Sequence, residues 1–248
     1  MVSASTTLVI GASGATGRRL VEQLLEAGQC VKTVVRSKAR FGEIIPDNER
    51  LQVVEADVLD MNDSEFQDIV TGCDCVVSCL GHNMNFKGMY RKPRKLVTDS
   101  VKKVCKAVKD IHSGNPVKVI LMGSNGVANP NGEDDVRPVN ERALLSVIRS
   151  LVPPHSDNED AAAYLSKDIG KNEPDIEWVV VRPDALIDGD VSKYDVFDKP
   201  QKGLFGGGET TRANVAHFMK DLIMNGDTTW NQWKFQMPVP VNEKIDLN

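Results

Sequence analysis

The sequence predicts an α/β protein in which a parallel β-sheet is covered by helices on both faces. Short apolar, β-branched runs alternate along the chain with segments whose apolar residues recur every three or four positions, and this alternation is typical of strand–helix–strand units. The runs are continuously apolar, as expected of parallel strands buried on both faces. The first run leads into three glycines and a helix, which is how a doubly wound sheet begins.

The segment from Thr6 to Leu20, TTLVIGASGATGRRL, carries the most specific motif of the chain. Thr6 to Ile10 is predicted to be a buried strand, and a helix with one apolar face follows the glycines. We expect Gly11 to allow a tight turn, Gly14 to let the backbone approach a pyrophosphate, and Gly17 to let the helix pack closely. The unpaired N–H groups at the helix start would bind phosphates. The motif predicts dinucleotide binding, the alternative being a glycine turn in another kind of α/β protein.

The predicted second strand, Val31 to Val35, ends at Arg36. NAD-specific sites place an acidic residue here, which binds the ribose 2′-hydroxyl. A guanidinium can instead hold a 2′-phosphate through two hydrogen bonds. The polar residues that accompany Arg36 are Ser37, Lys38, Arg40 and, on the first helix, Arg18. The position favours NADP over NAD, although an ordinary solvated basic turn would have the same composition.

The remaining elements follow the same alternation. Further strands are predicted at Leu51 to Ala56, Cys75 to Cys79, Val117 to Met122 and Ile176 to Val181. Helices are predicted at Asp63 to Val70, along the apolar stripe from Val97 to Val108, and at Val139 to Val152 and Asn158 to Leu165, with Asp157 as the N-cap of the last. We expect Thr211 to cap a late helix and Trp233 to Val239 to form a final edge strand.

The heptapeptide GASGATG resembles the G-x-x-G-x-x-G of extended and atypical short-chain dehydrogenases/reductases. The nearest similarity is to the NmrA-like and biliverdin reductase B-like NAD(P)-binding proteins. It covers most of the chain, is densest from Thr6 to Ser124, and includes Arg182-Pro183 and the TTRANVA segment that begins at Thr210. The resemblance implies a Rossmann fold: one domain spanning residues 1–248, with a core at about 5–183 and a small substrate-side lobe at about 184–248.

The resemblance also assigns residues to the site. It implies that Asp57 and Val58 lie beside the adenine, although Asp57 could simply cap a turn, and that the loop after the fourth strand runs beneath the ribose and nicotinamide. It places Ser124 opposite the nicotinamide and the substrate carbonyl. Together with the glycine motif, it assigns to the cofactor Gly11, Ser13, Gly14, Ala15, Thr16, Gly17, Arg36, Asp57, Val58, Cys79, Leu80 and Gly81.

The Tyr-x-x-x-Lys pair of the classical members has no counterpart at the expected place. Aligning the helix before the sixth strand by its apolar residues puts Pro154 near the tyrosine position and Asn158 near the lysine position. The titratable residues nearby are His155, Asp157 and Tyr164, and a lone histidine in such a segment is more often structural. Ser124 and Tyr164 are the candidate catalytic residues.

Two functions are consistent with a missing tyrosine–lysine pair. The first is an NADP(H)-dependent oxidoreductase that reduces a conjugated acceptor such as a flavin or quinone, which needs little acid catalysis from the protein. The second is a non-catalytic NADP-binding protein that senses the redox state of the cofactor, as NmrA-like proteins do. A basic loop from His82 to Lys95 would be either a lid that contacts an anionic substrate or the cofactor phosphates, or a solvated loop.

Composition limits the remaining classes. A formal net charge of −5 argues against a general nucleic-acid binder. No apolar window is long enough for a membrane span, and Met1 to Thr7 predicts no secretory signal. The five cysteines have no metal-site spacing and are interpreted as core thiols of a cytoplasmic protein rather than a metal or redox site. A small-molecule substrate is expected, while its identity and the oligomeric state stay open.

Overall fold

The computed structural model describes residues 5–81, 95–112, 114–134, 153–201 and 208–243. Their core is a six-stranded parallel sheet with the order β3-β2-β1-β4-β5-β6. Its strands are β1 (Thr6–Ile10), β2 (Cys30–Val35), β3 (Leu51–Glu55), β4 (Cys75–Ser78), β5 (Val117–Met122) and β6 (Ile176–Val181). The order reverses direction between β1 and β4, and such a switch point opens a crevice at the carboxyl ends of the strands.

Helices cover both faces of this sheet, as the sequence predicts. The helices are α1 (Gly17–Glu26), α2 (Lys38–Gly42), α3 (Asp63–Val70), α4 (Leu96–Ile111), α5 (Pro153–Ala163), which continues as a π-helical turn over Tyr164–Ile169, and α6 (Arg212–Met224). The apolar faces of α1 and α6 form one buried cluster against the sheet. Those of α3, α4 and α5 form the other. The Rossmann arrangement predicted from the sequence is thereby confirmed.

A smaller set of strands follows the sixth core strand. β7 (Ala185–Ile187) pairs in parallel with β9 (Glu209–Thr211), and β8 (Tyr194–Phe197) pairs antiparallel with β10 (Val239–Asn242). The predicted cap of α6 is confirmed, because the Thr211 hydroxyl accepts a hydrogen bond from the Asn214 N–H at 3.1 Å. In the part of the chain that the structure describes, no helix combines the length and the apolar character needed to cross a bilayer.

Two sequence predictions are wrong. The helix before β6 does not begin after Asp157, since the described helix already includes Pro153 and His155. Trp233 to Val239 is not a strand: a short helix, α7 (Asn231–Trp233), comes first, and the strand forms only at β10. The backbone between them turns sharply at Phe235, where φ is +63°. The predicted helix at Val139 to Val152 lies outside the described residues.

Candidate functional site

The glycine loop between β1 and α1 lies at the switch point of the sheet, beside the end of β4. Gly11 adopts φ +80°, and a Cβ there would come within 2.7 Å of the Cys79 carbonyl. A Cβ on Gly17 would come within 2.3 Å of the Gly11 carbonyl oxygen, so a side chain would separate the helix from the strand. These two glycines are therefore required by the backbone itself, as the sequence predicts for the turn and for the close packing of α1.

The same loop can accept an anion. Gly14 is exposed, and a Cβ there would meet only the Gly11 oxygen at 3.1 Å and the Cys79 oxygen at 4.0 Å. Thr16 makes no side-chain cap to α1, and the first turn of that helix carries no acidic residue. The positive end of a helix, with an exposed glycine in front of it, fits a pyrophosphate.

The edge next to this loop carries the predicted cation. Arg36 follows β2 and is exposed, and no described carboxylate pairs with it. Ser37 caps the short helix α2 by accepting a bond from the Arg40 N–H. The Glu55 carboxylate accepts a bond from the Lys38 N–H at 2.8 Å, so this acid is held by the backbone of α2. The arrangement leaves the Arg36 guanidinium available to a ligand at the carboxyl end of β2.

The residues expected around the adenine and nicotinamide follow the carboxyl ends of β3 and β4. Asp57 forms a turn, because its carboxylate accepts a bond from the Leu59 N–H at 3.1 Å, and the Val58 side chain is part of the core. Burial raises the pKa of the Cys79 thiol to about 12, so this thiol stays protonated, and the Cys79 carbonyl lies beside Gly11 and Gly14. Gly81 is exposed, and no described atom lies within 4 Å of where its Cβ would be.

Ser124 lies on the loop that leaves β5, and that loop is tied to the end of β6. The Gly123 N–H donates to the Val181 carbonyl and the Asn125 N–H to the Pro183 carbonyl, both at 2.8 Å. The Val127 N–H donates to the Ser124 carbonyl at 3.0 Å, which closes a turn around Gly126. Ser124 is half-buried within this turn. A side chain fixed in this way can orient a ligand without loss of loop entropy.

Arg182 and Asp134 form a buried clamp beneath that loop, which the sequence did not predict. The Arg182 guanidinium is fully buried and donates to both Asp134 carboxylate oxygens, at 2.7 and 2.9 Å. It also donates to the Val127 carbonyl at 3.0 Å and to the Met237 carbonyl at 2.8 Å. The Arg182-Pro183 pair could be recognised in the sequence, but no residue pattern near it predicts Asp134 as the partner of Arg182.

The first turn of α5 brings His155 to the Ser124 loop. A Cβ on Gly126 would lie 3.2 Å from His155 Cε1 and 3.5 Å from Ser124 Oγ, so the ring and the hydroxyl border the same space. His155 Nε2 is buried and 3.5 Å from a Glu159 carboxylate oxygen. Of the three titratable residues named from the sequence, His155 is the one that the structure places beside Ser124.

The structure does not bring Tyr164 to this edge. Tyr164 lies nine residues after His155, which is about 13 Å along a helix. Its ring faces α4, with Lys102 Nζ 5.4 Å from the ring centroid. Burial raises the pKa of Tyr164 to about 12. This environment is that of a packed side chain rather than of a proton donor.

Asp157 binds the first turn of α4 and takes no part in the arrangement beside Ser124. Its buried carboxylate accepts bonds from the N–H groups of Val97 and Thr98, at 2.8 and 3.0 Å, and from the Thr98 hydroxyl at 2.6 Å. It therefore caps α4, whose own N-cap residue supplies no side-chain bond. Among the described residues, no group of three or more His, Cys, Asp or Glu side chains could hold a metal ion.

Comparison with known proteins agrees with this geometry. A family model described as NAD(P)H-binding matches residues 11–226. Dihydroflavonol 4-reductase of Zea mays is 31% identical over 142 residues, which are 54% of this chain and 38% of that protein. The chain spans between 30% and 38% of the length of the curated relatives that it matches.

Solved structures share the fold at low identity. An oxidoreductase from Lactococcus lactis matches with a TM-score of 0.69 and 17% identity, over 96% of this chain and 91% of that one. A proposed NADH-flavin reductase from Streptococcus pneumoniae matches with a TM-score of 0.65 and 17% identity, over 97% of this chain and all of that one.

Proposed function

Because the chain belongs to the NAD(P)H-binding family, we propose that it is an NADP(H)-dependent oxidoreductase of the atypical short-chain dehydrogenase/reductase type. Its substrate would be a small conjugated acceptor such as a flavin or quinone. The observation that carries this proposal is the placement of Ser124 and His155 at the same sheet edge as the glycine loop, while Tyr164 lies against α4. A site of this kind can orient an acceptor but lacks the tyrosine that a classical alcohol dehydrogenase uses.

Different residues of the chain would bind the cofactor and orient the acceptor in such a reaction. The amides of the Gly11 to Gly17 loop would bind the pyrophosphate, and Arg36 would bind a 2′-phosphate. When bound, the reduced nicotinamide supplies the hydride. Ser124 would donate a hydrogen bond to the acceptor and fix its orientation, since its loop is fastened to the end of β6. An acceptor with a conjugated ring system spreads the added charge, so the reaction does not require a tyrosine as the acid.

Cofactor choice depends on Arg36. We expect NADP(H) to bind more tightly than NAD(H), and Arg36→Ala to weaken NADP⁺ binding by roughly tenfold to a hundredfold, because a charged hydrogen bond contributes about 1.5–3 kcal/mol. NAD⁺ binding should change little. Calorimetry with NADP⁺ and NAD⁺ measures the two dissociation constants. Arg50→Ala is the control, because it removes an equal charge from a residue that pairs with Glu49. Equal affinity of the wild type for the two cofactors would contradict the proposal.

Hydride transfer should not depend on Tyr164. We expect Tyr164→Phe to leave the rate of NADPH oxidation within a few-fold, because the ring packs on α4. Ser124→Ala should lower the rate by about tenfold to a hundredfold, through loss of one orienting hydrogen bond. The assay is NADPH oxidation with a panel of flavins and quinones. A collapse of activity in Tyr164→Phe would restore a tyrosine mechanism.

The redox-sensor hypothesis makes the opposite prediction in the same assay. Tight NADP(H) binding without oxidation by any acceptor would favour the sensor. Whether the basic loop from His82 to Lys95 helps to enclose a pocket beside Ser124 would also separate the two, but residues 82–94 of that loop lie outside the described residues.

A further inference from the structure

His155 is the titratable side chain that the fold brings to the Ser124 loop, and two sets of contacts fix its position. On its own helix, the Asp157 carboxylate is bonded to the first turn of α4. On the facing loop, Arg182 holds the Val127 carbonyl just after Gly126. The imidazole is therefore held between two elements that are each anchored by buried polar contacts. Its side chain is 12% exposed, so the ring is not completely enclosed by protein.

The two ring nitrogens of His155 have different surroundings. Nε2 is buried and lies 3.5 Å from the Glu159 carboxylate. Nδ1 lies 3.6 Å from the position that a Cβ on Gly126 would take, on the side of the ring that shares this space with Ser124 Oγ. A carboxylate behind one nitrogen stabilises the imidazolium, and the other nitrogen can then donate a proton. Glycine at position 126 keeps that space open.

We propose that His155, backed by Glu159, is the proton donor of the reaction, a role that rests on the proposed oxidoreductase function. The acceptor X gains a hydride from NADPH and a proton from His155 Nδ1, which yields XH₂ and NADP⁺. The neutral imidazole then regains its proton from water. The histidine follows Pro154, which the sequence alignment puts near the tyrosine position, so a titratable side chain lies close to where the classical tyrosine is missing.

Other charged groups near this helix are already engaged with α4. Asp160 forms an ion pair with Lys95 at 3.2 Å, and Asp157 caps α4. On the loop side, the Asp134 carboxylate is held by Arg182. The Glu159 carboxylate lies 3.5 Å from the ring, and the Ser124 hydroxyl borders the space beside Gly126 that the ring also borders.

The kinetic test uses FMN and 1,4-naphthoquinone as acceptors, with NADPH in excess, between pH 6 and 9. We expect His155→Gln to lower kcat by about a hundredfold, the lower end of what a positioned acid contributes, and to remove the fall in rate on the alkaline side. Glu159→Gln should also lower kcat, and the double variant should lose little more than His155→Gln alone, because the two side chains are in contact. Added imidazole should restore part of the activity of His155→Ala. The matched control is His217→Gln, because His217 has the same spacing to a carboxylate, Asp221 at 3.3 Å, but bonds to Tyr194.

A second measurement does not depend on turnover. Carbethoxylation by diethyl pyrocarbonate, mapped by mass spectrometry, should be suppressed at His155 by saturating NADP⁺, and unchanged at His217 and at the exposed His112. The dissociation constant for NADP⁺ should stay within about twofold in His155→Gln. No protection of His155, or full activity of His155→Gln with an unchanged pH profile, would overturn the His155 assignment alone. No turnover of either acceptor by the wild type would overturn the proposed function and the proton-donor role together.

Discussion

Replacing Gly14 by valine should abolish NADPH binding while leaving the fold largely intact. A Cβ at this position meets only the Gly11 and Cys79 carbonyl oxygens, at 3.1 and 4.0 Å, so the loop needs to give by only a few tenths of an ångström. The two methyl groups would then project into the exposed space in front of the α1 amides, which is where we propose that the pyrophosphate binds. We expect affinity to fall at least a hundredfold, or about 2.7 kcal/mol.

Calorimetry gives the affinity of the Gly14→Val variant, and thermal denaturation with circular dichroism reports on its fold. Two glycine variants serve as controls. Gly17→Ala would place a Cβ 2.3 Å from the Gly11 oxygen, so it should lose both binding and about 1–3 kcal/mol of stability through overpacking. Gly42→Ala meets nothing within 4 Å and should change neither. Normal cofactor binding by Gly14→Val would refute the assignment of this loop to the pyrophosphate.

The largest effect on stability is expected for Asp134→Ala. Arg182 is fully buried and donates to both carboxylate oxygens of Asp134, so the substitution leaves a buried guanidinium without its counter-charge. Breaking a buried pair in this way costs about 3–5 kcal/mol, a large part of the roughly 5–15 kcal/mol that stabilises a typical domain. The backbone N–H of Asn129, which donates to the same carboxylate at 2.6 Å, should also lose protection from hydrogen exchange.

Denaturant titration measures the free energy of unfolding of this variant, and hydrogen exchange measures the Asn129 amide. Asp188→Ala is the matched control, because Asp188 also pairs with arginines, Arg19 and Arg212, each at 3.1 Å, but is 73% exposed. An exposed pair of this kind contributes about 1 kcal/mol or less. If the two variants lost the same small amount of stability, the Arg182 clamp would not hold the Ser124 loop in the way the contacts indicate.

Local patterns were sufficient to predict much of the sheet. The bounds predicted for β1, β5, β6 and α3 are the observed ones. A continuous apolar run identifies a buried parallel strand without reference to its neighbours. The start of α3 is likewise fixed locally, because Asn62 and Glu65 exchange side-chain to backbone bonds in a capping box. For such elements the information lies within a few residues of each boundary.

The end of the chain was predicted less well, for a physical reason that applies to edge strands in general. Trp233 to Val239 has the composition of a strand, but Trp233 packs in the core against Phe218, with ring centroids 6.3 Å apart. Because that indole is buried in a helical turn, the strand begins only at β10, where Pro240 lies opposite Val196 of β8. Tertiary packing overrides strand propensity at such positions.

The doubly wound sheet, the glycine loop and the basic residue at the end of β2 could be predicted from the sequence, because each depends on neighbours along the chain. Which polar side chains lie together beside the Ser124 loop depends on the tertiary fold. His155 meets the Ser124 loop, and Asp157 caps a helix 60 residues away in sequence, because the α5 helix packs on α4. Contacts between residues so far apart in sequence depend on how helices pack across the sheet. The residue pattern within one segment contains no information about that packing.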